Sequence, residues 1–216
     1  MNVHSESDPA CVPRGGRASP AAIAVENAYG TMNREEAILD AALELFSERG
    51  FHGTTVAMIA QRAQVGAGTI YRYFKDKDDL VNALFQYWHR AKMEALLRDM
   101  PTDLSPRQLF HEIWHRLARF SRDYPLVVQF LEFHHHATYL SPASRELSDN
   151  FREHFLALLD GLRQRQVTKD VPPELVLAFI SGAFIGVAKA ALAGELGSAP
   201  ESDALAEEMC WEAIRR

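Results

Sequence analysis

The chain has 216 residues, of which 47% are hydrophobic, so it can bury one sizeable core or join a small module to a larger one. A formal net charge of −6 excludes a protein coated in positive charge, although DNA binding needs only a local basic face. The two cysteines, Cys11 and Cys210, lie at opposite ends of the chain, which argues against a disulfide framework or a zinc knuckle and indicates reduced thiols.

Residues 1–32 have no sustained helical or strand period, and three prolines interrupt them. We predict a disordered leader over this segment. The segment also lacks the apolar stretch of roughly 7 to 15 residues that a signal peptide needs, which predicts a cytoplasmic protein.

The rest of the chain predicts an all-α fold of about nine helices, because apolar residues recur at helical spacing and no segment alternates as a strand does. Asn33 with Glu36 predicts the capped start of the first helix, and Gly50 predicts its left-handed stop. Thr55 and Asp76 are the predicted N-caps of the second and fourth helices. The predicted helices cover residues 33–49, 56–63, 67–74, 77–98, 106–122, 125–138, 142–166, 173–194 and 201–214.

The second and third predicted helices are short and are joined by the glycine-containing segment 64–66, with a longer helix ahead of them. This is the pattern of a helix-turn-helix, in which the second short helix enters the major groove of DNA. Residues 50–77 carry four basic side chains and one acidic side chain, a local net charge of +3 in an otherwise acidic chain, as phosphate binding requires. The basic residues are Arg62, Arg72, Lys75 and Lys77, and the acidic residue is Asp76.

The segments Thr54-Thr55-Val56 and Ile59-Ala60 are followed by the run Gly68-Thr69-Ile70-Tyr71-Arg72-Tyr73-Phe74-Lys75-Asp76-Lys77-Asp78-Asp79-Leu80. Together these segments closely resemble the tetracycline-repressor-like (TetR/AcrR) family. The resemblance is strong over residues 33–85 and covers the remainder only as an arrangement of helices. It implies a ligand-responsive transcriptional regulator, usually a repressor, that binds a palindromic operator as a homodimer and is released by a small-molecule inducer. Activation is the alternative outcome.

The resemblance also implies how the recognition helix meets double-stranded operator DNA. Ala67, Gly68 and Thr69 lie at the start of this helix, where the absence of bulk permits close approach to base edges. Thr69 is the candidate for a hydrogen bond to a base or a phosphate. Arg72 either reads a guanine or contacts a phosphate.

Contacts to the DNA backbone are implied at four further positions. Tyr71 and Tyr73 resemble aromatic positions that contact the sugar-phosphate backbone. Thr55 and Lys77 each stand at a helix start, where the helix dipole supports a phosphate contact. The positions expected to be core residues that only hold the recognition helix are Ile59, Ala60, Ile70 and Phe74.

Aromatic and histidine side chains are concentrated between residues 110 and 155. Large apolar walls with a few polar groups are typical of a small-molecule pocket, so we expect an effector to bind here. The alternative is that the aromatic side chains only fill the core between helices. The candidate ligand-binding residues are Phe110, Trp114, His115, Phe130, Phe133, His134 and Phe155.

A metal site is an alternative use of the same region. His111 and His115 are four residues apart and share one face of a predicted helix, with Glu132 as a possible further ligand. The three consecutive histidines at 134–136 point about 100° apart on a helix and therefore cannot all bind one ion. We predict no metal site and no cofactor.

The predicted helix over 173–194 is apolar nearly all round, as expected of a helix buried against both its own domain and a partner. Small residues spaced by four permit close helix approach, and the last helix could complete a four-helix bundle with the partner copy. Packing within the chain alone is the alternative. The candidate dimer-interface residues are Ala178, Gly182, Gly186, Ala190, Leu205 and Met209.

The apolar stretch Val176 to Ala193 reaches the lower length limit of a membrane span, but it contains Ser181 and Lys189 and lacks aromatic and basic belts on both sides. We predict no membrane partner. The predicted organisation is a leader (1–32), a helix-turn-helix DNA-binding domain (33–78) and a ligand-sensing and dimerisation domain (79–216), coupled through the long fourth helix.

The sequence also bears on two other classes of function, an enzyme and a protein that does not bind DNA. No nucleophile elbow, phosphate loop or metal motif is found, so the chain is predicted not to be an enzyme. The remaining alternative is a helical ligand carrier or interaction module that does not bind DNA, in which the basic helix-turn-helix would be incidental.

Overall fold

The computed structural model describes residues 34–134, 137–196 and 199–216. The predicted leader and Asn33 lie outside the described residues, as do two of the consecutive histidines and the Phe133 side chain. The described part of the chain contains nine α-helices and no strand, so the predicted all-α class is confirmed. The helices are α1 Arg34–Arg49, α2 Val56–Arg62, α3 Ala67–Tyr73, α4 Lys77–Leu97, α5 Pro106–Asp123, α6 Pro125–His134, α7 Pro142–Gln164, α8 Pro173–Leu192 and α9 Ala199–Ile214.

The helix ends follow the local chemistry of the sequence. The side chain of Thr55 accepts a hydrogen bond from the Met58 backbone N–H at the start of α2, and Asp76 caps α4 in the same way. These contacts satisfy backbone donors that have no partner within the helix. Gly50 adopts a φ of 66° just beyond α1, which confirms the predicted left-handed stop.

One local feature was not predicted from the sequence, and another differs from the sequence-based prediction. In the turn between α2 and α3, Gln64 takes the left-handed conformation (φ 56°), whereas Gly66 has an ordinary φ of −70° and precedes α3. Helix α6 ends at His134 rather than at residue 138. Just beyond it, the Leu140 N–H donates to the Ala137 carbonyl and closes a tight turn. No glycine or proline in the sequence marks the end of this helix.

The main core joins the helix-turn-helix to the first part of the sensing domain. Phe46 of α1 and Ile70 of α3 are buried in the same cluster as Phe85 of α4 and Phe130 of α6. Hydrophobic burial therefore continues across the predicted domain boundary at residue 78, and α4 belongs to both parts. The boundary itself stays a prediction.

Aromatic rings line this shared core from one part to the other. The Phe46 ring stacks on Phe51 and on Phe130, with centroid separations of 6.0 and 6.3 Å. His134 lies 4.4 Å from the Phe130 ring, and Tyr139 lies 4.0 Å from the Phe51 ring. Such pairs add a specific geometry to the burial of apolar area.

His134 and Tyr139 form a hydrogen-bonded pair inside this contact, between the Tyr139 hydroxyl and His134 Nδ1. Burial lowers the pKa of His134 to about 4 and raises the pKa of Tyr139 to about 12. Near pH 7 both groups are therefore neutral, with the hydroxyl donating and the imidazole nitrogen accepting.

The loop between α1 and α2 is held by two polar side chains. The buried Thr54 hydroxyl lies 3.0 Å from the Leu45 carbonyl oxygen and 2.9 Å from that of Gly50. Lys77, at the start of α4, donates from Nζ to the carbonyl oxygens of Phe51 (2.8 Å) and Thr54 (3.0 Å). Lys77 thus fastens this loop to the helix that leads into the sensing domain.

A second hydrophobic region gathers α5, α8 and α9. Trp114 of α5 packs edge-on against Phe184 of α8 at 5.5 Å, with Cys210 of α9 in the same cluster. Cys210 is a buried free thiol. Phe110 contacts Trp211 of α9 at 5.4 Å and joins this cluster to a neighbouring one.

Helix α8 leaves much of its apolar surface uncovered. By length and composition it could cross a membrane, with a mean hydropathy of 2.1 over 18 residues, of which 11% are buried within the chain. A helix of this kind needs a covering partner, either lipid or protein.

We expect Lys77→Met to lower the free energy of unfolding by about 1–3 kcal/mol, because two loop carbonyls lose a charged donor. The control is Lys75→Met, which removes a charge from a neighbouring exposed side chain and should change stability by less than about 0.5 kcal/mol. Urea denaturation measures both. Equal stability of the two variants would contradict this role of Lys77.

Acidification should destabilise the fold through His134. Between pH 6.5, the ordinary pKa of histidine, and the folded value of about 4, the unfolded chain binds a proton that the folded chain excludes. This contribution to stability is complete above pH 6.5 and is lost as the pH falls toward 4, to a total of about 3 kcal/mol. The test compares stability at several pH values for the wild type and His134→Gln, and a common slope would disprove the effect.

Candidate DNA-binding interface

Helix α3 has one buried face and one exposed face. Ile70 and the C-capping residue Phe74 are buried in the shared core at 1% and 4% exposure, whereas Tyr71 and Tyr73 are 56% and 41% exposed. The two tyrosines flank the exposed Arg72, so the outer face of α3 presents two aromatic rings and one cation to solvent. The expectation that Ile59, Ala60, Ile70 and Phe74 are core residues is confirmed by their burial.

The start of α3 is open to an approaching surface. Ala67 and Gly68 are exposed, and Thr69 is half-buried. A Cβ atom added at Gly68 would meet nothing within 4 Å, so packing within the chain does not require glycine there. The opening leaves room for another molecule to come close to the backbone.

The basic residues divide into two groups. Arg62 forms ion pairs with Glu44 (2.5 Å) and Glu48 (3.5 Å) of α1, so its charge is offset within the helix-turn-helix. Arg72 and Lys75 are exposed, and within residues 34–134, 137–196 and 199–216 no carboxylate forms an ion pair with the Arg72 guanidinium or the Lys75 ammonium, although the Lys75 backbone N–H donates to Asp79. Among the basic residues of the segment 50–77, those whose charge remains for a polyanion thus lie in α3 and just after it.

Thr55 and Lys77 occupy different environments. Thr55 is exposed, and its hydroxyl proton stays available while its oxygen caps α2. Lys77 is half-buried and uses two of its three N–H groups on loop carbonyls, which leaves one donor. Contact between DNA and the eight predicted residues remains a prediction. Six of them are exposed, namely Thr55, Ala67, Gly68, Tyr71, Arg72 and Tyr73.

The predicted ligand-binding residues lie in different parts of the sensing domain. Phe110 and Trp114 belong to the clusters among α5, α8 and α9, while Phe130 and His134 pack against the helix-turn-helix. Phe155 of α7 packs beside Phe151, with ring centroids 5.0 Å apart. Binding of an effector by these residues stays a prediction, and the structure distributes them over several clusters.

His115 is exposed on α5, with its ring 5.1 Å from that of His111. His111 Nδ1 lies 2.8 Å from Glu207, a buried carboxylate of α9 that also pairs with Arg107. Among the residues that the structure describes, no group of three or more histidine, cysteine, aspartate or glutamate side chains could hold a metal ion. The His111 contact therefore joins α5 to α9.

Lys92 is a candidate functional residue that the sequence analysis did not single out. Its ammonium lies 4.6 Å from the centre of the Phe151 ring, on the face of α4 that carries His89 and Leu96. Burial lowers the pKa of Lys92 to about 8, and the charge of Glu132 offsets part of this effect. The sequence offers one signal for this site: Lys92 occupies a position on α4 where the helical spacing of apolar residues predicts an apolar side chain.

The predicted dimer-interface residues face away from the chain. Leu205 and Met209 of α9 are 68% and 72% exposed. On α8, Ala178, Gly182 and Gly186 are exposed and Ala190 is half-buried. A Cβ atom at either glycine would meet nothing within 4 Å. Their role in an interface stays a prediction.

Known families match the chain in two adjoining parts. Residues 38–84 match the family described as bacterial regulatory proteins, tetR family, and residues 85–216 match the tetracyclin repressor-like C-terminal domain. The first match contains α2 and α3 complete, and the second contains α5 to α9.

Individual proteins agree with these matches. The HTH-type transcriptional regulator YhgD of Bacillus subtilis is 28% identical over 159 residues, which cover 69% of this chain and 79% of YhgD. The HTH-type transcriptional repressor Rv3405c of Mycobacterium tuberculosis is 39% identical over 79 residues, 35% of this chain and 42% of that protein's length.

A crystal structure of a TetR family transcription regulator from Marinobacter aquaeolei VT8 superposes with a TM-score of 0.77 and 25% identity, over 84% of this chain and 95% of that one. The likeness covers the helix-turn-helix and the helical domain together. The chain therefore belongs to the TetR family of bacterial transcription regulators, DNA-binding proteins that are not enzymes.

Proposed function

We propose that the protein is a repressor that binds a palindromic operator as a homodimer and is released from DNA by a small-molecule effector in the cytoplasm. The observation that carries the proposal is α3, a helix anchored from behind by Ile70 and Phe74 that presents Tyr71, Arg72 and Tyr73 to solvent. The membership of the TetR family supports the same use of this helix.

The operator is read by the start of α3 and held by its surroundings. Gly68 permits the backbone to approach the base edges, and Thr69 donates or accepts a hydrogen bond there. Tyr71 and Tyr73 contact the sugar-phosphate backbone, while Arg72 supplies charge. Because Arg62 is already paired within the chain, we assign it to the stability of the helix-turn-helix.

Dimerisation covers the apolar surfaces of α8 and α9. Phe179 and Leu175 are exposed on α8 near the small-residue strip, and Leu205 and Met209 are exposed on α9. Pairing both helices with their copies forms a four-helix bundle and buries these side chains, which stabilises the dimer by removing apolar surface from water. The two copies of α3 then need a separation of about 34 Å to occupy successive major grooves.

Release follows if the effector binds more tightly to a conformation in which this separation is different. Helix α4 runs from Lys77 beside the helix-turn-helix to Leu97 in the sensing domain and can carry such a change. The region of Lys92, Phe151 and Phe155 offers a half-buried cation on α4 beside aromatic rings on α7, which suits an amphipathic effector with an anionic group.

A gel shift with the DNA upstream of the protein's own gene tests operator binding. We expect a specific complex, weakened about tenfold or more by Thr69→Ala and by Tyr71→Ala, since each contact contributes roughly 1–3 kcal/mol. Thr102→Ala, at an exposed loop position, is the control and should bind as the wild type does. Absence of any sequence-specific complex would favour a helical ligand carrier instead.

Leu205→Glu and Met209→Glu should each convert the dimer to a monomer in light-scattering measurements, because a carboxylate would be buried at the interface without a partner. Gln129→Glu places the same charge at an exposed position of α6 and should remain dimeric. A wild-type protein that is monomeric at all concentrations tested would refute the proposed assembly.

A further inference from the structure

The loop between α6 and α7, residues 137–141, packs against the helix-turn-helix through Tyr139 and through Leu140, which is buried in the shared core. The Tyr139 ring lies nearly parallel to the Phe51 ring, with 4.0 Å between centroids and 20° between planes. Phe51 belongs to the loop between α1 and α2, which ends at Thr55, the cap of α2. The α6–α7 loop therefore contacts the segment from which α2 and α3 continue.

Asn82 fixes the other side of this loop to α4. Its side-chain amide donates to the backbone carbonyl of Tyr139 (2.9 Å) and to that of Asp78 (2.7 Å). Its carbonyl oxygen accepts from the Ser141 N–H and the Ser144 hydroxyl, both at 2.7 Å. Every hydrogen-bonding group of this buried side chain is satisfied, so the loop has a defined position on α4.

Lys77 completes the arrangement on the helix-turn-helix side. Its ammonium lies 4.0 Å from the centre of the same Phe51 ring and donates to two carbonyls of the Phe51 loop. Phe51 is thus contacted by both Tyr139 and Lys77. Lys77 and Asn82 are separated by less than two turns of α4. The Phe51 loop and the α6–α7 loop are therefore both fixed to the same short segment of this helix.

We propose that Tyr139 is a positioning residue for DNA binding, which by stacking on Phe51 sets the orientation of the helix-turn-helix relative to the sensing domain. This proposal rests on the proposed function. The shared core already holds the helix-turn-helix against α6, and the Tyr139–Phe51 contact further restricts rocking of the helix-turn-helix about the start of α4. Restricting it before binding lowers the entropic cost of docking two recognition helices at once.

The same contact gives the effector a route to the DNA. The α6–α7 loop joins the two helices that flank it, and α7 carries Phe151 and Phe155. A shift of α7 on effector binding moves Ser141 and Tyr139, and with them the Phe51 loop. The position of α2 and α3 then depends on whether the effector is bound, through α7 as well as through α4.

The experiment compares operator affinity of the full-length wild type with Tyr139→Ala, Tyr139→Phe and Thr138→Ala. We expect Tyr139→Ala to weaken operator binding about tenfold through lost preorganisation. Tyr139→Phe should retain most of the wild-type affinity, because the aromatic ring makes the contact with Phe51. Thr138→Ala is the matched control in the same loop, where the side chain is exposed, and should bind as the wild type does.

Hydrogen exchange of the free proteins separates positioning from a general loss of stability. Tyr139→Ala should speed exchange selectively in α2 and α3, whereas Leu96→Ala, at a buried position near the far end of α4, should destabilise the fold without this selectivity. Unchanged affinity in Tyr139→Ala, or exchange that rises equally throughout the chain, would overturn the proposal. If the wild type bound no specific DNA, the proposed function would fail, and the exchange comparison would still decide the role of Tyr139.

Discussion

The placement of the recognition helix depends on one hydrophobic core that the helix-turn-helix shares with the sensing domain. Phe46, Ile70 and Phe130 come from three helices that are distant in sequence, yet they are buried together. A three-helix unit of about 45 residues buries little apolar surface alone, so this shared burial supplies stability that the small unit lacks. Because the core is shared, the helix-turn-helix cannot shift without changing its contacts to α6.

Polar contacts beside that core fix the orientation of the helix-turn-helix relative to the sensing domain. Hydrophobic burial is not directional, whereas the hydrogen bonds of Asn82 and Lys77 are satisfied only in one arrangement of the loops around α4. His134 and Tyr139 add a neutral pair at the same contact. The orientation of the helix-turn-helix on the sensing domain is therefore specified by a few polar groups within a mostly apolar interface.

Charge and apolar surface are distributed according to the proposed partners. Unpaired positive charge remains at Arg72 and Lys75, although the whole chain is acidic, because Arg62 is paired with carboxylates of α1. Uncovered apolar surface remains on α8 and α9, where Leu205 and Met209 face solvent in the single chain. A polyanion and a second copy are the partners that complement these two surfaces.

The sequence by itself determined the helices, the caps at Thr55, Asp76 and Gly50, and the identity of the helix-turn-helix, since such signals act within one or two turns of the chain. Where the local signal was weak it failed, as at the end of α6, which was predicted at residue 138 and lies at His134. Only the tertiary structure decided which aromatic residues meet: it separates Trp114 from Phe130, and it brings Tyr139 onto Phe51 and onto Asn82, 57 residues earlier. Composition predicts that aromatic side chains will be buried, but their partners depend on how helices far apart in the chain pack together.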